Sequence, residues 1–272
     1  MRSDGYWIIP LRMLLPKKFE FVLKNHVLEW FLELPKALNG RYDVDDGRMF
    51  FKFEDLCIEI TSKSELFIIR EIFIDRCYHF LMPGNHEAHV VDIGMNVGLA
   101  SLFFAGLPFV KRVHSFEPFL TTFQMAKNNL ANNPKRAQKV NAHNFGLGST
   151  HAEINAPYDS ENNGTNTSLV PRLAAIPSIS EKLKIKPALE TLSILFKRFP
   201  SENFILKIDT EGAEYEIFRS LFQEKLTPQV KGIMLEWHSQ GSEELTDTLT
   251  KNGFILTSFR ISANSGMIYG FR

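Results

Sequence analysis

The stretch VVDIGMNVG, residues 90–98, joins an apolar run directly to an acidic turn that contains two glycines. The apolar run predicts a buried strand, and the residues after it predict the start of a helix. Gly94 and Gly98 allow a tight turn that a ligand can approach closely, while Asp92 at the end of the strand can accept a hydrogen bond. The pattern therefore predicts a ligand-binding loop, and the alternative is a strand-to-helix turn that binds nothing.

The spacing of this loop differs from that of phosphate-binding loops. A dinucleotide fingerprint reads G-x-G-x-x-G and a P-loop reads G-x-x-x-x-G-K-[ST], whereas this loop reads D-x-G-x-N-x-G with no lysine after it. A cofactor without phosphate groups fits better, and S-adenosylmethionine is such a cofactor. Asn96 within the loop and Ser101 in the helix after it are further candidate cofactor contacts.

A second strand is predicted over VHSFEP, residues 113–118, and it ends in Glu117. In a βαβ unit, an acid at the end of the second strand bonds the ribose hydroxyls of an adenosine-type ligand. Glu117 is therefore predicted to bind the ribose, and the alternative is a solvated acid before a proline turn. Gly146, at the end of the third strand, is predicted to lie beside the adenine.

Two later apolar runs, FILKI at residues 204–208 and GIML at residues 232–235, are each followed by acidic residues. The carboxyl ends of parallel strands meet at one edge of a sheet, where ligands bind in open α/β folds. If the first of these strands stays extended, Lys207, Asp209 and Glu211 share one face, and Lys207 can pair with either acid. The titratable groups predicted at this edge are Asp209, Glu211, Glu236 and His238.

Taken together and in this order, VVDIGMNVG, HSFEP, LKIDTEGAE and IMLEWH resemble the FkbM family of S-adenosylmethionine-dependent methyltransferases. The resemblance runs from about residue 71 to about residue 238, and KIDTEGAE is its most discriminating element. It implies a Rossmann-like class I methyltransferase fold of the α/β class, with a mostly parallel seven-stranded sheet and helices on both faces. It also implies methylation of a hydroxyl on a sugar, a glycan or a secondary metabolite.

An alcohol acceptor must lose its proton during methyl transfer, so a general base or a divalent cation is expected near the acceptor. We expect His238 or Glu211 to take the proton, with Asp209 and Glu236 orienting the acceptor or holding a divalent cation. No feature of the sequence requires that cation. The alternative is that the two acids cap the turns after their strands and that His238 is a hydrogen-bonded loop residue.

The composition predicts a folded protein without a general affinity for nucleic acid. With 272 residues, 44% of them hydrophobic, and a formal net charge of zero, the chain can bury a full core and shows no general attraction to nucleic acid. An RNA ribose 2′-O-methyltransferase remains an alternative, because Lys207, Asp209 and Glu236 loosely match a Lys-Asp-Glu arrangement. A non-catalytic module that binds S-adenosylmethionine is a second alternative.

Cys57 and Cys77 stand in apolar surroundings without a Cys-x-x-Cys or Cys/His cluster, so we expect free thiols and a cytoplasmic location. The apolar runs are too short for a transmembrane helix. Residues 1–18 combine apolar bulk with basic ends and two prolines. They are expected to pack on the main domain, and the alternative is peripheral contact with a membrane or a partner.

We predict an N-terminal extension over residues 1–80 and a methyltransferase domain over residues 81–272. The extension is predicted to contain a helix (19–38), a hairpin (47–61) and a second helix (65–81) that pack on the core. In the domain, strands are predicted at 89–93, 111–116, 139–146, 203–209, 229–237, 254–260 and 266–272. Helices are predicted at 97–106, 119–132, 213–224 and 242–252. The polar segment 156–180 is predicted to be a loop, either a lid or plain surface.

Overall fold

A computed structural model describes residues 17–79, 86–159, 179–222 and 228–272. In chain order the strands are β1 (Arg41–Asp45), β2 (Arg48–Phe53), β3 (Leu56–Ile60), β4 (Ala88–Ile93), β5 (Val110–Phe116), β6 (Val140–His143), β7 (Gly146–Gly148), β8 (Ala152–Tyr158), β9 (Ile179–Pro187), β10 (Asn203–Ile208), β11 (Val230–His238), β12 (Ile255–Ser262) and β13 (Ser265–Phe271). The α-helices are α1 (Asn25–Ala37), α2 (Lys63–Ile69), α3 (Leu99–Gly106), α4 (Leu120–Asn132), α5 (Pro134–Ala137), α6 (Ala188–Arg198), α7 (Glu214–Leu221) and α8 (Glu243–Lys251). A 3₁₀ helix covers Lys17–Leu23, and a π-helical turn, Arg70–Ile74, continues α2.

The central sheet has seven strands in the order β12-β13-β11-β10-β4-β5-β6. The five strands from β11 to β6 run parallel, whereas β13 is antiparallel to both β11 and β12, so the sheet is mixed. Along β4, Val90 packs into one apolar cluster while Val91 and Ile93 pack into another, because successive side chains point to opposite faces. Both faces of the sheet are therefore covered, and ligands have access at the carboxyl edge.

The extension carries a three-stranded antiparallel sheet, β1-β2-β3, between α1 and α2. The prediction of a hairpin over 47–61 was thus incomplete, because the polar residues of β1 gave no strand signal. The predicted helix over 65–81 was also wrong in part: its α-helical portion ends at Ile69, where the π-helical turn begins. Residues 80–85 lie outside the described residues, and the predicted domain boundary at residue 80 falls among them.

Two buried amides join the extension to the domain. The free edge of β3 is paired by the Asn133 side chain, which accepts from the Cys57 amide at 2.8 Å and donates to the Cys57 carbonyl at 2.8 Å. Asn129 of α4 accepts from the amide of Glu59 at 3.0 Å and donates to the carbonyl of Val97 at 3.0 Å. One side chain therefore links the extension to the loop after β4.

The predicted strand over 139–146 is divided in the structure. The chain leaves the central sheet at His143, and Gly146 begins β7, which belongs to a second three-stranded sheet of order β7-β9-β8. Strands β8 and β9 also occupy the ends of the segment predicted as a loop over 156–180. The rest of that segment, residues 160–178, lies outside the described residues. The choice between a lid and plain surface therefore stays a prediction.

The predicted free thiols are confirmed, since Cys57 and Cys77 form no disulfide and are half-buried. Within the described residues, no helix combines the length and the apolar character needed to cross a membrane. Residues 1–16 lie outside the described residues, so the predicted packing or membrane contact of residues 1–18 is not described.

Candidate active site

A cleft of about 520 Å³ opens at the carboxyl edge of the central sheet. It brings together seven of the predicted site residues: Gly94, Asn96, Glu117, Gly146, Asp209, Glu211 and Glu236. Four others, Asp92, Gly98, Ser101 and His238, are not among the residues that line it. These four support the lining residues from below or behind.

The loop after β4 lies directly against the turn after β10. Gly94 has φ +85°, and a Cβ added there would stand 1.8 Å from the carbonyl oxygen of Asp209. Gly98 has φ +86°, and Asn96 between them has φ +51°. A residue other than glycine rarely adopts a positive φ, and the residues that do so cluster at ligand-binding sites. The loop is thus held in a tight conformation against the neighbouring strand.

Below the loop, Asp92 is fully buried, and its carboxylate has two partners, the ammonium group of Lys207 and the hydroxyl group of Ser101. Its carboxylate lies 3.2 Å from Nζ of Lys207 and accepts from the hydroxyl of Ser101 at 2.5 Å. Lys207 also donates to the carbonyl of Gly94 at 2.6 Å and lies 3.5 Å from Asp209. Burial lowers the pKa of Lys207, but the charges of Asp92 and Asp209 outweigh burial and hold that pKa above its usual value. Asp92 and Lys207 therefore fix the loop as an ion pair.

Ser101→Ala should lower the free energy of unfolding by about 1.5–3 kcal/mol, the usual contribution of a hydrogen bond to a charged group. The reason is that the buried carboxylate of Asp92 would lose its hydroxyl donor. Urea unfolding monitored by circular dichroism measures the change. Ser258→Ala, at an exposed position of β12, is the matched control and should change little. Equal stability of the two variants would contradict the buried hydrogen bond.

Glu117 at the end of β5 is buried and faces the cleft. It accepts from the amide of Asn96 at 2.9 Å and from the amide of Phe119 at 3.0 Å. Burial raises its pKa to about 7, although those two amides act in the opposite direction. A carboxylate offers about four acceptor positions, so two remain for hydroxyl groups in the cleft.

The part of the cleft next to Glu117 suits an adenosine. Gly146 lines it together with Pro118, Phe119, Leu147 and Ile185. These side chains are apolar, and an added Cβ at Gly146 would stand 2.8 Å from the side chain of Ile185. An apolar slot beside an acid with free acceptor positions fits a flat base attached to a ribose diol.

The cleft also contains a group of carboxyl side chains that we call the acidic floor: Glu71, Asp209, Glu211 and Glu236. Burial, followed by the charge of Asp209, raises the pKa of Glu211 to about 7. The same two causes raise the pKa of Glu236 above its usual value. Asp209 is held by the hydroxyl of Tyr78, which donates to it at 2.9 Å. The acidic floor thus gathers four carboxyl groups, with Lys207 and His238 as basic neighbours.

The chain turns sharply at Glu211, whose φ is +54°. Strand β10 ends at Ile208, so the expectation that Lys207, Asp209 and Glu211 share one face of an extended strand was wrong for Glu211. The turn carries the Glu211 carboxylate away from Lys207 and toward His238, at 3.9 Å. Lys207 is therefore paired with Asp92 and Asp209 instead.

His238 sits behind the acidic floor, between buried and half-buried acids. Its Nδ1 lies 3.0 Å from Glu214, which is fully buried and also accepts from the His238 amide at 2.7 Å. Its Nε2 lies 3.5 Å from Glu236. Burial opposes a charge on the ring, but the hydrogen bonds to Glu214 and Glu236 outweigh it and raise the pKa to about 11. An imidazolium already protonated at neutral pH cannot accept a proton from an acceptor.

Asp209, Glu211 and His238 offer ligand atoms that all lie within 4.8 Å of one another, so they could hold a metal ion. His238 would first have to release the proton that its acidic neighbours stabilise. Oxygen and imidazole ligands of this kind suit several divalent ions.

Two functional residues were missed from the sequence, and both come from the extension. Tyr78 holds Asp209 from 131 positions earlier in the chain. Glu71 enters the acidic floor from the π-helical turn, a rare feature that is frequent at functional sites. Neither residue belongs to a motif, so only the position of the extension over the cleft reveals them.

Comparisons with known proteins identify the family of this chain. Residues 92–256 match the model of the methyltransferase FkbM domain. Methyltransferase sdnD of Sordaria araneosa is 27% identical over 228 residues, which cover 74% of this chain and 86% of that protein. Methyltransferase 1 of Beauveria bassiana is 27% identical over 178 residues, which cover 60% of this chain and 70% of that protein.

Among solved structures, a methyltransferase FkbM from Methylobacillus flagellatus KT aligns over 90% of this chain with a TM-score of 0.45 and 14% identity. This chain spans 59% of the length of that one. The N-terminal domain of human METTL16 in complex with SAH aligns over 88% of this chain with a TM-score of 0.42 and 14% identity. The match of the family model covers more than half of the chain and includes Asp92, Glu117, Asp209 and Glu236. The chain therefore belongs to the FkbM family of S-adenosylmethionine-dependent methyltransferases.

Proposed function

We propose that this protein transfers the methyl group of S-adenosylmethionine to a hydroxyl oxygen of a sugar, a glycan or a secondary metabolite. The observation that carries the proposal is that Glu117, after β5, and Glu211, after β10, line one cleft and are separated in the sheet by β4. Glu117 offers acceptor positions for a ribose diol, and Glu211 offers a carboxylate whose pKa of about 7 suits a general base.

In the proposed arrangement, Asp92, Gly94, Asn96, Gly98 and Ser101 form and support the cofactor loop, and Gly146 borders the adenine slot. S-adenosylmethionine supplies an electrophilic methyl group on a sulfonium. Because methyl transfer is an in-line displacement, the residues around the cleft contribute by holding the hydroxyl oxygen in line with that methyl group.

Glu211 takes the proton of the acceptor hydroxyl as the new oxygen–carbon bond forms and the sulfur–carbon bond breaks. Asp209, fixed by Tyr78 and Lys207, lies in the same cleft and orients the acceptor. Glu236 shares the acidic floor and orients the acceptor in the same way. His238 is assigned a positioning role, because it carries a proton and is bound to Glu214.

The RNA alternative gains no support from the site. In that alternative Lys207 would have to be accessible to the RNA. It is 2% exposed and paired with two carboxylates. The acidic floor would repel a phosphodiester backbone, which binds proteins through basic side chains. Salt-sensitive binding of a single-stranded RNA would revive this alternative, and its absence would remove it.

The test of the proposed cofactor site is calorimetric titration with S-adenosylmethionine and S-adenosylhomocysteine, with and without magnesium. Glu117→Gln should weaken binding by about 10–100-fold, since charged hydrogen bonds to a diol contribute about 1.5–3 kcal/mol. Glu153→Gln, an exposed acid of β8, should bind as the unmodified protein does. Tight binding by Glu117→Gln would contradict the ribose contact, and binding only with magnesium would support a metal at the acidic floor.

Turnover is tested by formation of S-adenosylhomocysteine with methyl glycosides and with uncharged polyketide and terpenoid alcohols. Methylation at oxygen by any of them would support the proposed reaction. Binding of the cofactor without turnover of any acceptor in this panel would favour the non-catalytic binding module instead.

A further inference from the structure

Apolar side chains of the extension also line the cleft. We call this surface the aromatic wall, and it consists of Trp30 from α1 and Phe67 and Ile68 from α2. The rings of Trp30 and Phe67 lie 5.4 Å apart, centroid to centroid, in a tilted contact. The aromatic wall lies outside the residues that match the family model, so it is a feature of this chain rather than of the matched domain.

Phe67 is the exposed member of the aromatic wall, whereas Trp30 and Ile68 are partly buried against the core. On α2, Leu66 and Ile69 are fully buried against the rest of the protein, whereas Phe67 is 39% exposed. Ile261 of β12 lines the same cleft and is 51% exposed. Exposed apolar side chains that line a concave space mark a ligand-binding surface, because an apolar ligand removes them from water.

Polar groups line the cleft beside the aromatic wall. Glu71 lies on the π-helical turn that directly continues α2, and Lys63 lies one turn before Phe67 on α2. Asp209 and Glu211 line the same cleft. A hydroxyl group on an apolar molecule therefore has hydrogen-bonding groups near the apolar side chains.

We infer that the aromatic wall binds the apolar ring or chain of the acceptor and thereby places its hydroxyl at the acidic floor. This inference rests on the proposed hydroxyl methylation and narrows its acceptors to molecules with an apolar body. Trp30, Phe67 and Ile261 supply apolar surface for that body in the same cleft as Glu211.

The test uses the full chain saturated with S-adenosylhomocysteine and the neutral apolar fluorophore N-phenyl-1-naphthylamine. The unmodified protein should bind the fluorophore, and Trp30→Ala and Phe67→Ser should each weaken binding at least tenfold. Leu32→Ser is the matched control, since Leu32 is 46% exposed on α1 but does not line the cleft. Octyl glucoside below its micelle concentration should displace the fluorophore at least tenfold better than methyl glucoside, which has the same sugar hydroxyls.

Absence of fluorophore binding, equal binding by Phe67→Ser and Leu32→Ser, or equal displacement by the two glucosides would each overturn the inference. Phe67 is exposed, so its replacement tests the aromatic wall even if Trp30→Ala does not fold. Failure of the proposed function is seen separately, as absence of S-adenosylhomocysteine binding in calorimetry. Fluorophore binding is measured without that ligand as well, so the two failures are distinguishable.

Discussion

Gly94→Ala is expected to prevent formation of the loop after β4 and to lower the free energy of unfolding by more than about 4 kcal/mol, an unusually large effect for one methyl group. The added Cβ would stand 1.8 Å from the carbonyl oxygen of Asp209 and 2.9 Å from its carbonyl carbon. Both atoms belong to the backbone, so no rotation of a side chain relieves the contact. Lys207 also binds the Gly94 carbonyl, and a shift of the loop would break that bond.

The matched control for this variant is Gly253→Ala. Gly253 has φ +82°, close to the value at Gly94, but an added Cβ would have nothing within 4 Å. Its cost is therefore the backbone strain alone, about 1–2 kcal/mol. Urea unfolding of the two variants separates strain from collision, and equal losses would show that β4 and β10 do not approach as closely as described.

Glu211→Gln is expected to lower kcat by about 10²–10⁴-fold, the range that a general base contributes. Glutamine keeps the size of the side chain but cannot take a proton from a hydroxyl group. Affinity for S-adenosylhomocysteine should stay unchanged, because Glu117 follows β5 and Glu211 follows β10, on the far side of β4. The measurement is steady-state turnover of an acceptor that the unmodified protein methylates, and Glu243→Gln, an exposed acid of α8, should keep full turnover.

The pH dependence of kcat for the same reaction is an independent test of Glu211 as the general base. A base must be ionised, and the pKa of Glu211 is about 7, so kcat of the unmodified protein should fall about tenfold per pH unit below pH 7 and level off above it. Glu211→Gln should lose this dependence. Full turnover with an unchanged pH profile would remove Glu211 from the proposed mechanism. His238, whose pKa is about 11, would show its inflection far above this range.

Several residues that line the cleft could be predicted because their signals are local. A run of apolar residues ending in Asp92 and two glycines, and a second run ending in Glu117, each define a strand end within a few residues. Parallel strands bring such ends to one edge of the sheet. Gly94, Asn96, Glu117 and Asp209 accordingly line one cleft.

The roles of Asp92 and Ser101 depend on register, which the sequence does not reveal. Lys207 is the register partner of Asp92 across β10 and β4, so the two side chains lie on one face of the sheet. The result is an ion pair beneath the loop rather than a set of contacts within the cleft. Asp92→Ala therefore tests stability more than cofactor binding, because it would leave the buried ammonium group of Lys207 with Asp209, at 3.5 Å, as its remaining carboxylate partner.

The acidic floor was predicted only in part for a related reason. Asp209, Glu211 and Glu236 follow strands, whereas Glu71 follows no motif and depends on a π-helical turn. The positive φ at Glu211 also could not be predicted, since glutamic acid has no preference for that conformation. The second sheet was missed because β8 and β9 flank a long polar segment that resembles a loop throughout.

The two amide bridges of Asn129 and Asn133 bear on which part of the chain melts as one cooperative unit. They pair the amide and carbonyl of Cys57 and the amide of Glu59, so this edge strand offers fewer backbone groups to a strand from another molecule. Asn129 also donates to the carbonyl of Val97 in the loop after β4, so withdrawing the extension would leave buried amides without partners. Cooperative melting should therefore encompass β3 together with the loop after β4, and ligand binding at the loop should slow hydrogen exchange in both.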